Sequence, residues 1–287
     1  MTNDNGLRIE HDTYGKSRVR VMKVTRRHDQ HQVRELTVEV RLEGSFAATF
    51  VDGDNRSVVA TDSMKNTVHS LAKDDPIASI EEFGLRLARH FVEHYAQVSK
   101  ATVEIAETLW ERMSLQDGTS HPHAFTRAGG EQATVCVSVQ RDGTTVVEPG
   151  LRGLVVLKTT DSGFEDFVRD RYTTLADTAD RLFATEVTAY WSTRAHGVDF
   201  SESRTAARQA LLAAFAEHRS KSVQHTLLHM ARRMLEACPA MERVTLKLPN
   251  LHYLPVDLTP FGQENALEVF VPTSEPHGLI QATVARA

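Results

Sequence analysis

The order of predicted strands and helices repeats once along this chain of 287 residues. In each half, two segments of alternating apolar and polar residues precede two segments with apolar residues at helical spacing, and two more alternating segments follow. The first half carries strand-like segments at 17–26, 33–50, 101–112 and 132–139 and helix-like segments at 62–73 and from Ser79 onward. The second half carries strand-like segments at 144–158, 183–194, 241–248 and 267–286 and helix-like segments at 202–218 and from Ser222 onward. The repeat predicts an α+β chain of two ββααββ units, each with an antiparallel sheet and helices on one face.

The repeat also sets the expected domain organisation. Residues 1–13 are polar and unpatterned, so we expect a disordered tail, followed by a first unit at 14–142 and a second at 143–287. Ser79 and Glu82 form a capping box that predicts a helix start. An open antiparallel sheet with helices on one face leaves edges and a second face to be covered, which favours assembly with other copies.

Composition excludes several classes of function. Hydrophobic residues make up 41% and charged residues 25%, which is typical of a soluble globular protein. A net charge of −5 argues against a nucleic acid or an acidic membrane as the main partner. We expect neither a signal peptide nor a transmembrane helix, and Val284-Ala285-Arg286-Ala287 is not a peroxisomal address. These features predict a cytoplasmic protein, of bacterial rather than organellar origin.

Several short segments carry the most specific information. They are Tyr14-Gly15-Lys16, Thr61-Asp62-Ser63-Met64-Lys65-Asn66-Thr67-Val68, Arg169-Asp170-Arg171-Tyr172-Thr173-Thr174-Leu175, Ser222-Val223-Gln224 and Leu248-Pro249-Asn250-Leu251-His252-Tyr253. The segment at 61–68 resembles the signature of the urate oxidases (uricases), and the others agree with that family in the same order, from about residue 14 to the C-terminus. The resemblance implies duplicated tunnelling-fold (T-fold) units, whose sheets join across the subunits of a homotetramer into a barrel.

The resemblance implies that Lys16, Thr61 and His252 are catalytic. In the urate oxidases the matching lysine and threonine form a relay that takes a proton from the substrate, and the histidine helps to move protons and order water. These residue types suit the task, because a hydroxyl becomes a base only when a partner accepts its proton, and a desolvated lysine can be neutral near pH 7. Thr61 also suits the N-cap of the helix at 62–73, and the two roles are compatible.

The resemblance also implies a site for urate, a planar anion edged by N–H and C=O groups. Arg181 supplies a cationic fork, Gln224 an amide that donates and accepts, and Phe164 a ring to stack on. Without the resemblance, the favoured interpretation of Phe164 is an ordinary core aromatic, and that of Arg181 is an ion pair with Asp180 or a nearby carboxylate.

Backbone groups and a second polar side chain complete the expected urate site. Val223 offers its backbone N–H at a helix start, and Thr61 and Asp62 are expected at the same position of the first repeat. Asn250 borders the place of dioxygen or water, on the same side of an extended segment as His252, with Leu251 facing away.

No cofactor and no metal site are expected. His121-Pro122-His123 would place two imidazoles on one face of a strand, but Pro122 suggests a loop and no third ligand stands at a suitable spacing.

The sequence therefore predicts a cofactor-independent urate oxidase that converts urate, dioxygen and water to 5-hydroxyisourate and hydrogen peroxide. One alternative is a catalytically silent purine- or pterin-binding protein of the same fold, against which Lys16, Thr61 and His252 count together. Another is a pterin-metabolising T-fold enzyme, but such enzymes use an acidic anchor or a zinc site that is not evident here. We also expect two ββααββ units in each chain and an active site that is shared between subunits.

Overall fold

The computed structural model describes residues 8–74, 76–193 and 199–287 and forms two compact units, the first ending at Pro149 and the second beginning at Gly150. Of the predicted tail, residues 1–7 lie outside the described part of the chain, and 8–13 form neither helix nor strand. No helix among the described residues is both long and apolar enough to cross a membrane.

The first unit contains one antiparallel sheet of consecutive strands with helices between its second and third strands. The strands are β1 (Tyr14–Arg26), β2 (His31–Gly44), β3 (Val98–Ser114) and β4 (Ser120–Gln140), each paired with the next along the chain. The helices are α1 (Ala47–Val51), α2 (Thr61–Asp74) and α3 (Ile80–His94). The ββααββ order is therefore confirmed, with the short α1 in addition.

The predicted strand at 33–50 is wrong beyond residue 44. Gly44 lies so close to the neighbouring backbone that a Cβ atom there would be 2.0 Å from the Gln97 carbonyl oxygen. The Ser45 N–H donates to that same oxygen over 2.9 Å, and Phe46 is then buried with only 1% of its surface exposed. The chain leaves the sheet at this point and forms α1, because a buried aromatic anchors the turn.

Burial alternates along the strands, as the sequence predicts. Leu36, Val38 and Val40 of β2 are fully buried, whereas Thr37 and Glu39 between them are partly exposed. Helices cover the buried face, with α2 packed on β1 and α3 packed on β3 and β4. Apolar burial on that one face is the main stabilising contribution to the unit.

The second unit repeats this arrangement. Its strands are β5 (Thr145–Lys158), whose first residues precede Gly150, β6 (Phe183–Thr193), β7 (Met241–Pro255) and β8 (Phe270–Ala285). Its helices are α4 (Phe200–Glu217), α5 (Val223–Ala237) and a short 3₁₀ helix at Thr259–Phe261. The strands pair antiparallel in chain order, and α5 packs on β7 and β8. Trp191, Met230 and Met234 lie at the centre of its core.

The same irregularity near the start of both units supports the duplication. The β1–β2 register shifts between Lys16 and Val19, and the β5–β6 register shifts between Leu151 and Leu154. Each bulge contains a residue with positive φ, Arg18 at 57° and Gly153 at 73°. A bulge re-aims nearby side chains, and in the first unit it follows Lys16 directly.

The helix starts correct one expectation about the repeat. Ser79 and Ser222 cap α3 and α5, and each hydroxyl accepts the N–H three residues on, over 3.1 Å. Val223 thus begins the second long helix of its unit, whereas Thr61 begins the first long helix of the other. Thr61 and Val223 are therefore not equivalent positions of the repeat.

Thr61 is also not the N-cap of α2. The Met64 N–H donates to the Ala60 carbonyl over 3.1 Å, which makes Ala60 the capping residue and Thr61 the first helical residue. Its N–H still lacks an intrahelical acceptor, because this holds for the first four N–H groups of any α-helix.

Candidate functional site

A cavity of about 520 Å³ lies in the second unit at the start of α5. It collects all six site residues predicted for that unit: Phe164, Arg181, Val223, Gln224, Asn250 and His252. Apolar side chains make up most of the remaining lining, among them Leu182, Phe270 and Ile280. A concave, mostly apolar cavity with a few convergent polar groups is typical of a small-molecule site.

Backbone hydrogen bonds join the three segments that carry these residues. The Phe164 N–H donates to the Thr178 carbonyl over 2.7 Å, and the Arg181 N–H donates to the Ser162 carbonyl over 2.7 Å. The Gly163 N–H in turn donates to the Ser220 carbonyl over 2.8 Å, which links the same strip to the residues before α5. Residues 162–164, residues 178–181 and the residues directly before α5 are thereby held together, although no regular sheet connects them.

Glycine is required at position 163 for this junction. A Cβ atom there would be 2.9 Å from the Ala179 carbonyl oxygen and 3.0 Å from that of Thr178. A methyl group at this place would push apart the two strips that position Phe164 and Arg181.

The Asp180 carboxylate binds the backbone around Ser162 rather than the guanidinium of the neighbouring Arg181. Its carboxylate accepts hydrogen bonds from the Thr160 hydroxyl over 2.6 Å and from the Ser162 N–H over 3.1 Å. The Thr160 hydroxyl is the main reason that the pKa of Asp180 is lowered, so the carboxylate stays ionised.

Arg181 faces the aromatic ring of the cavity. Its guanidinium carbon lies 5.3 Å from the centre of the Phe164 ring. Burial lowers the pKa of Arg181 from its usual value, but an arginine remains a cation in proteins. The side chain thus presents a charged, planar donor beside an aromatic face.

The start of α5 supplies backbone donors. Val223 and Gln224 are its first two residues, so their N–H groups have no intrahelical acceptor, and the helix dipole favours an anion there. The Thr226 hydroxyl donates to the buried Ser220 hydroxyl over 2.7 Å, which fixes the turn that precedes the helix.

Asn250 and His252 line the cavity from β7, together with Leu251. The expectation that the Leu251 side chain faces away stays a prediction. Asn250 and Leu251 pair with Thr185 and Ala184 of β6 without a shift, so side chains alternate here along β7.

The remaining predicted residues lie in the first unit and are close to one another there. The Asp62 carboxylate accepts hydrogen bonds from Lys65 and Asn66, and Lys65 is the main cause of its lowered pKa, with a smaller contribution from Lys16. Lys16 therefore lies near the start of α2. Thr61 and Lys16 are both half-buried, and within the described part of the chain no direct hydrogen bond joins their side chains.

His121 and His123 lie on β4 rather than in the loop that Pro122 suggested, with ring centres 4.6 Å apart. Among the described residues, no group of three or more histidine, cysteine, aspartate or glutamate side chains is placed to hold a metal ion.

Comparison with known proteins identifies the family. The family model described as Uricase matches residues 12–138 and 147–281. The chain is 42% identical to the uricase of Arthrobacter globiformis over 95% of this chain and 88% of that protein, and 40% identical to the uricase of Aspergillus flavus over 96% and 95%. The crystal structure of the Arthrobacter globiformis uricase superposes with a TM-score of 0.92 at 40% identity, covering 98% of this chain and 95% of that one.

The chain belongs to the uricase family. The predicted family and fold class are thereby confirmed.

A histidine cluster behind the start of α5 is a feature of this uricase-family chain that sequence reasoning missed. The centre of the His218 ring lies 4.4 Å from the centre of the His225 ring and 4.4 Å from the centre of the His229 ring. The Lys158 ammonium donates to the His218 carbonyl oxygen. The spacing of His225 and His229 on α5 hinted at a shared face, but His218 precedes the helix and joins them only through the turn.

The cluster makes protonation unfavourable. Desolvation, followed by the neighbouring His225, His229 and Lys158, lowers the pKa of His218 to about 4. Its Nε2 atom is buried and has no hydrogen-bond partner in the part of the chain that is described. His218 is thus neutral at physiological pH.

We expect the cluster to reduce stability in acid. A histidine in the unfolded chain has a pKa of about 6.5. Between that pH and about 4, the unfolded chain therefore binds a proton at His218 that the folded chain does not bind. The thermal midpoint of the wild-type protein should therefore fall as the pH decreases through this range. The thermal midpoint of the His218→Gln variant should fall less steeply. Scanning calorimetry at pH 7.5 and 5.0 measures both slopes. His28→Gln, at an exposed turn position, is the control and should keep the wild-type slope.

Proposed function

We propose that this chain is a urate oxidase that converts urate, dioxygen and water to 5-hydroxyisourate and hydrogen peroxide. The observation that carries the proposal is the single cavity in which Phe164, Arg181 and Gln224 meet the start of α5, in a chain of the uricase family. The relatives from Arthrobacter globiformis and Aspergillus flavus are named uricases, and they align over nearly the whole chain.

The groups around the cavity suit urate. A planar anion with alternating N–H and C=O edges fits a guanidinium fork at Arg181 and an amide at Gln224 that both donates and accepts. The Val223 N–H adds a backbone donor where the helix dipole favours negative charge. The Phe164 ring offers a face for stacking, so the purine would be held by its edges and by one face.

A proton relay would activate the bound urate. In this proposal Thr61 takes a proton from urate because Lys16 accepts the hydroxyl proton in turn, and the resulting dianion is electron-rich enough to reduce dioxygen directly. Dioxygen receives two electrons and two protons and leaves as hydrogen peroxide, while water supplies the hydroxyl group of the product. Asn250 would border the dioxygen or water position, and His252 would move protons there.

The proposed reaction needs no flavin or metal, because the substrate itself is the electron donor. The protein's part is to position urate beside dioxygen and to stabilise the charge that develops.

Urate consumption by chelated protein tests the proposal. After exhaustive dialysis against a chelator, the protein should remove the ultraviolet band of urate and form one peroxide per urate. Binding of urate without consumption would instead indicate a silent purine-binding protein, and consumption of a pterin but not of urate would indicate a pterin-metabolising enzyme. A stoichiometric requirement for added metal or flavin would contradict the cofactor-independent mechanism.

Single and double substitutions test the relay. Thr61→Ala and Lys16→Met should each lower the rate by about 10²–10⁴-fold, since each removes a proton-transfer partner. The double variant should lose little more than either single one, because residues that act as a unit are not additive. Steady-state kinetics at saturating urate measure the rates, and additive losses would show that the two residues act separately.

We also propose that the enzyme is a homotetramer whose active sites are shared between subunits. Every described residue that lines the cavity belongs to the second unit, whereas Lys16, Thr61 and Asp62 belong to the first. The relay would reach the substrate if the first unit of a neighbouring subunit faced the cavity. Such sharing is natural for a symmetric assembly in which sheets of several copies close into a barrel.

Complementation between two inactive variants tests the shared site. Thr61→Ala and Arg181→Ala chains, mixed by co-expression, should form some sites in which both groups are wild type. Activity should then rise well above that of either parent, as measured on oligomers purified with two different affinity tags. An active monomer in sedimentation, or mixed oligomers without activity, would contradict the shared site.

A further inference from the structure

Three planar side chains form a stack at the edge of the cavity, and the Arg181 guanidinium lies beside it. The rings of Phe164 and Phe167 are stacked with centres 4.9 Å apart and planes 6° from parallel. The Arg181 guanidinium carbon lies 5.3 Å from the centre of the Phe164 ring, and that of Arg169 lies 4.5 Å from the centre of the Phe167 ring. We call Phe164, Phe167 and Arg169 the stacked column.

Only one end of the stacked column belongs to the cavity. Phe164 and Arg181 are among its lining residues, whereas the described lining includes neither Phe167 nor Arg169. Phe167 is half-buried, and its ring supports Phe164 from outside the cavity wall. The Phe164 ring, which lines the cavity, is therefore packed against the Phe167 ring, which does not.

The outer end of the stacked column is anchored. The Arg169 guanidinium forms an ion pair with Asp177 over 2.8 Å and donates to the Leu175 carbonyl oxygen over 2.9 Å. The Asp166 N–H also donates to the Asp177 carboxylate over 3.2 Å, on the side of the loop next to Phe167. The cation over Phe167 thus has a fixed position, tied to both strands of the loop at 165–177.

We propose that Phe167 and Arg169 are positioning residues for substrate, which hold the Phe164 ring in the plane on which urate stacks. The proposal rests on the proposed function, because it assigns a purine to the cavity side of Phe164. A half-buried ring with one supported face keeps a single orientation only while the support is present. Loss of the parallel ring would let Phe164 rotate about its side-chain torsion and would weaken stacking in the ground state and the transition state alike.

The expected effect is a change in binding without a change in turnover. An aromatic pair contributes enough to alter affinity by about 2- to 10-fold, so Phe167→Ala and Phe167→Leu should raise KM for urate by that factor. The kcat value should stay within about twofold, since uniform binding is lost. Phe167→Tyr keeps the ring and should restore KM, and Arg169→Gln should raise it less than Phe167→Ala.

The same loop supplies a matched control. The guanidinium carbon of Arg171 lies 4.6 Å from the centre of the Tyr172 ring, an arginine–aromatic pair like that of Arg169 and Phe167 but not stacked on Phe164. Tyr172→Ala and Arg171→Gln should therefore leave KM unchanged. Thermal midpoints of all variants show whether each is folded.

Equilibrium dialysis of urate without dioxygen separates this inference from the proposed function, because urate then binds without being oxidised. Parallel increases in Kd and KM for Phe167→Ala and Phe167→Leu, with Phe167→Tyr near wild type, are the expected result. Unchanged Kd in the first two variants, or an equal increase in Tyr172→Ala, would overturn the positioning role while wild-type activity leaves the proposed function intact. Failure of the wild-type protein to bind urate would overturn both.

Discussion

The irregular strip of backbone hydrogen bonds around Ser162 is the constraint on which the candidate site depends. Three segments meet there, carrying Phe164, Arg181 and the start of α5, and their N–H and C=O groups satisfy one another over 2.7–2.8 Å. Buried backbone groups must find partners, so the strip has few alternative arrangements. The side chains of the cavity inherit their positions from this backbone frame.

The two units use the same physical devices for different purposes. Serine caps start α3 and α5, and a bulge interrupts both β1 and β5. In the second unit the capped helix start opens into the cavity, whereas the first unit offers Lys16 beside the start of α2. Duplication supplied two similar scaffolds, and the residues placed on them differ in chemistry. In the proposed shared site, the second unit of one subunit would bind the edges of the purine, and the first unit of another would accept its proton.

The column of aromatic and guanidinium groups links recognition to a loop outside the cavity. Arg169 forms an ion pair with Asp177, and its guanidinium lies over the Phe167 ring. The Phe167 ring in turn stacks on Phe164, which lines the cavity. Each contact is individually modest, but together they restrict one ring that would otherwise be free to turn. A second cluster of planar side chains, the rings of His218, His225 and His229, packs near the start of α5.

The sequence by itself determined the element order, the burial pattern and the family. Alternation in β2, the Ser79 capping box and the order of the short motifs are local signals, and local signals depend only on neighbouring residues. Sequence reasoning failed where a distant backbone intervened, as at residues 45–50, where Gly44 meets Gln97. Only the tertiary structure decided that Phe167 supports Phe164 and that His218 joins His225 and His229. Phe164 and Phe167 lie in one irregular loop and His218 lies outside α5, so these contacts follow from the folded path of the chain and not from the period of a helix or strand.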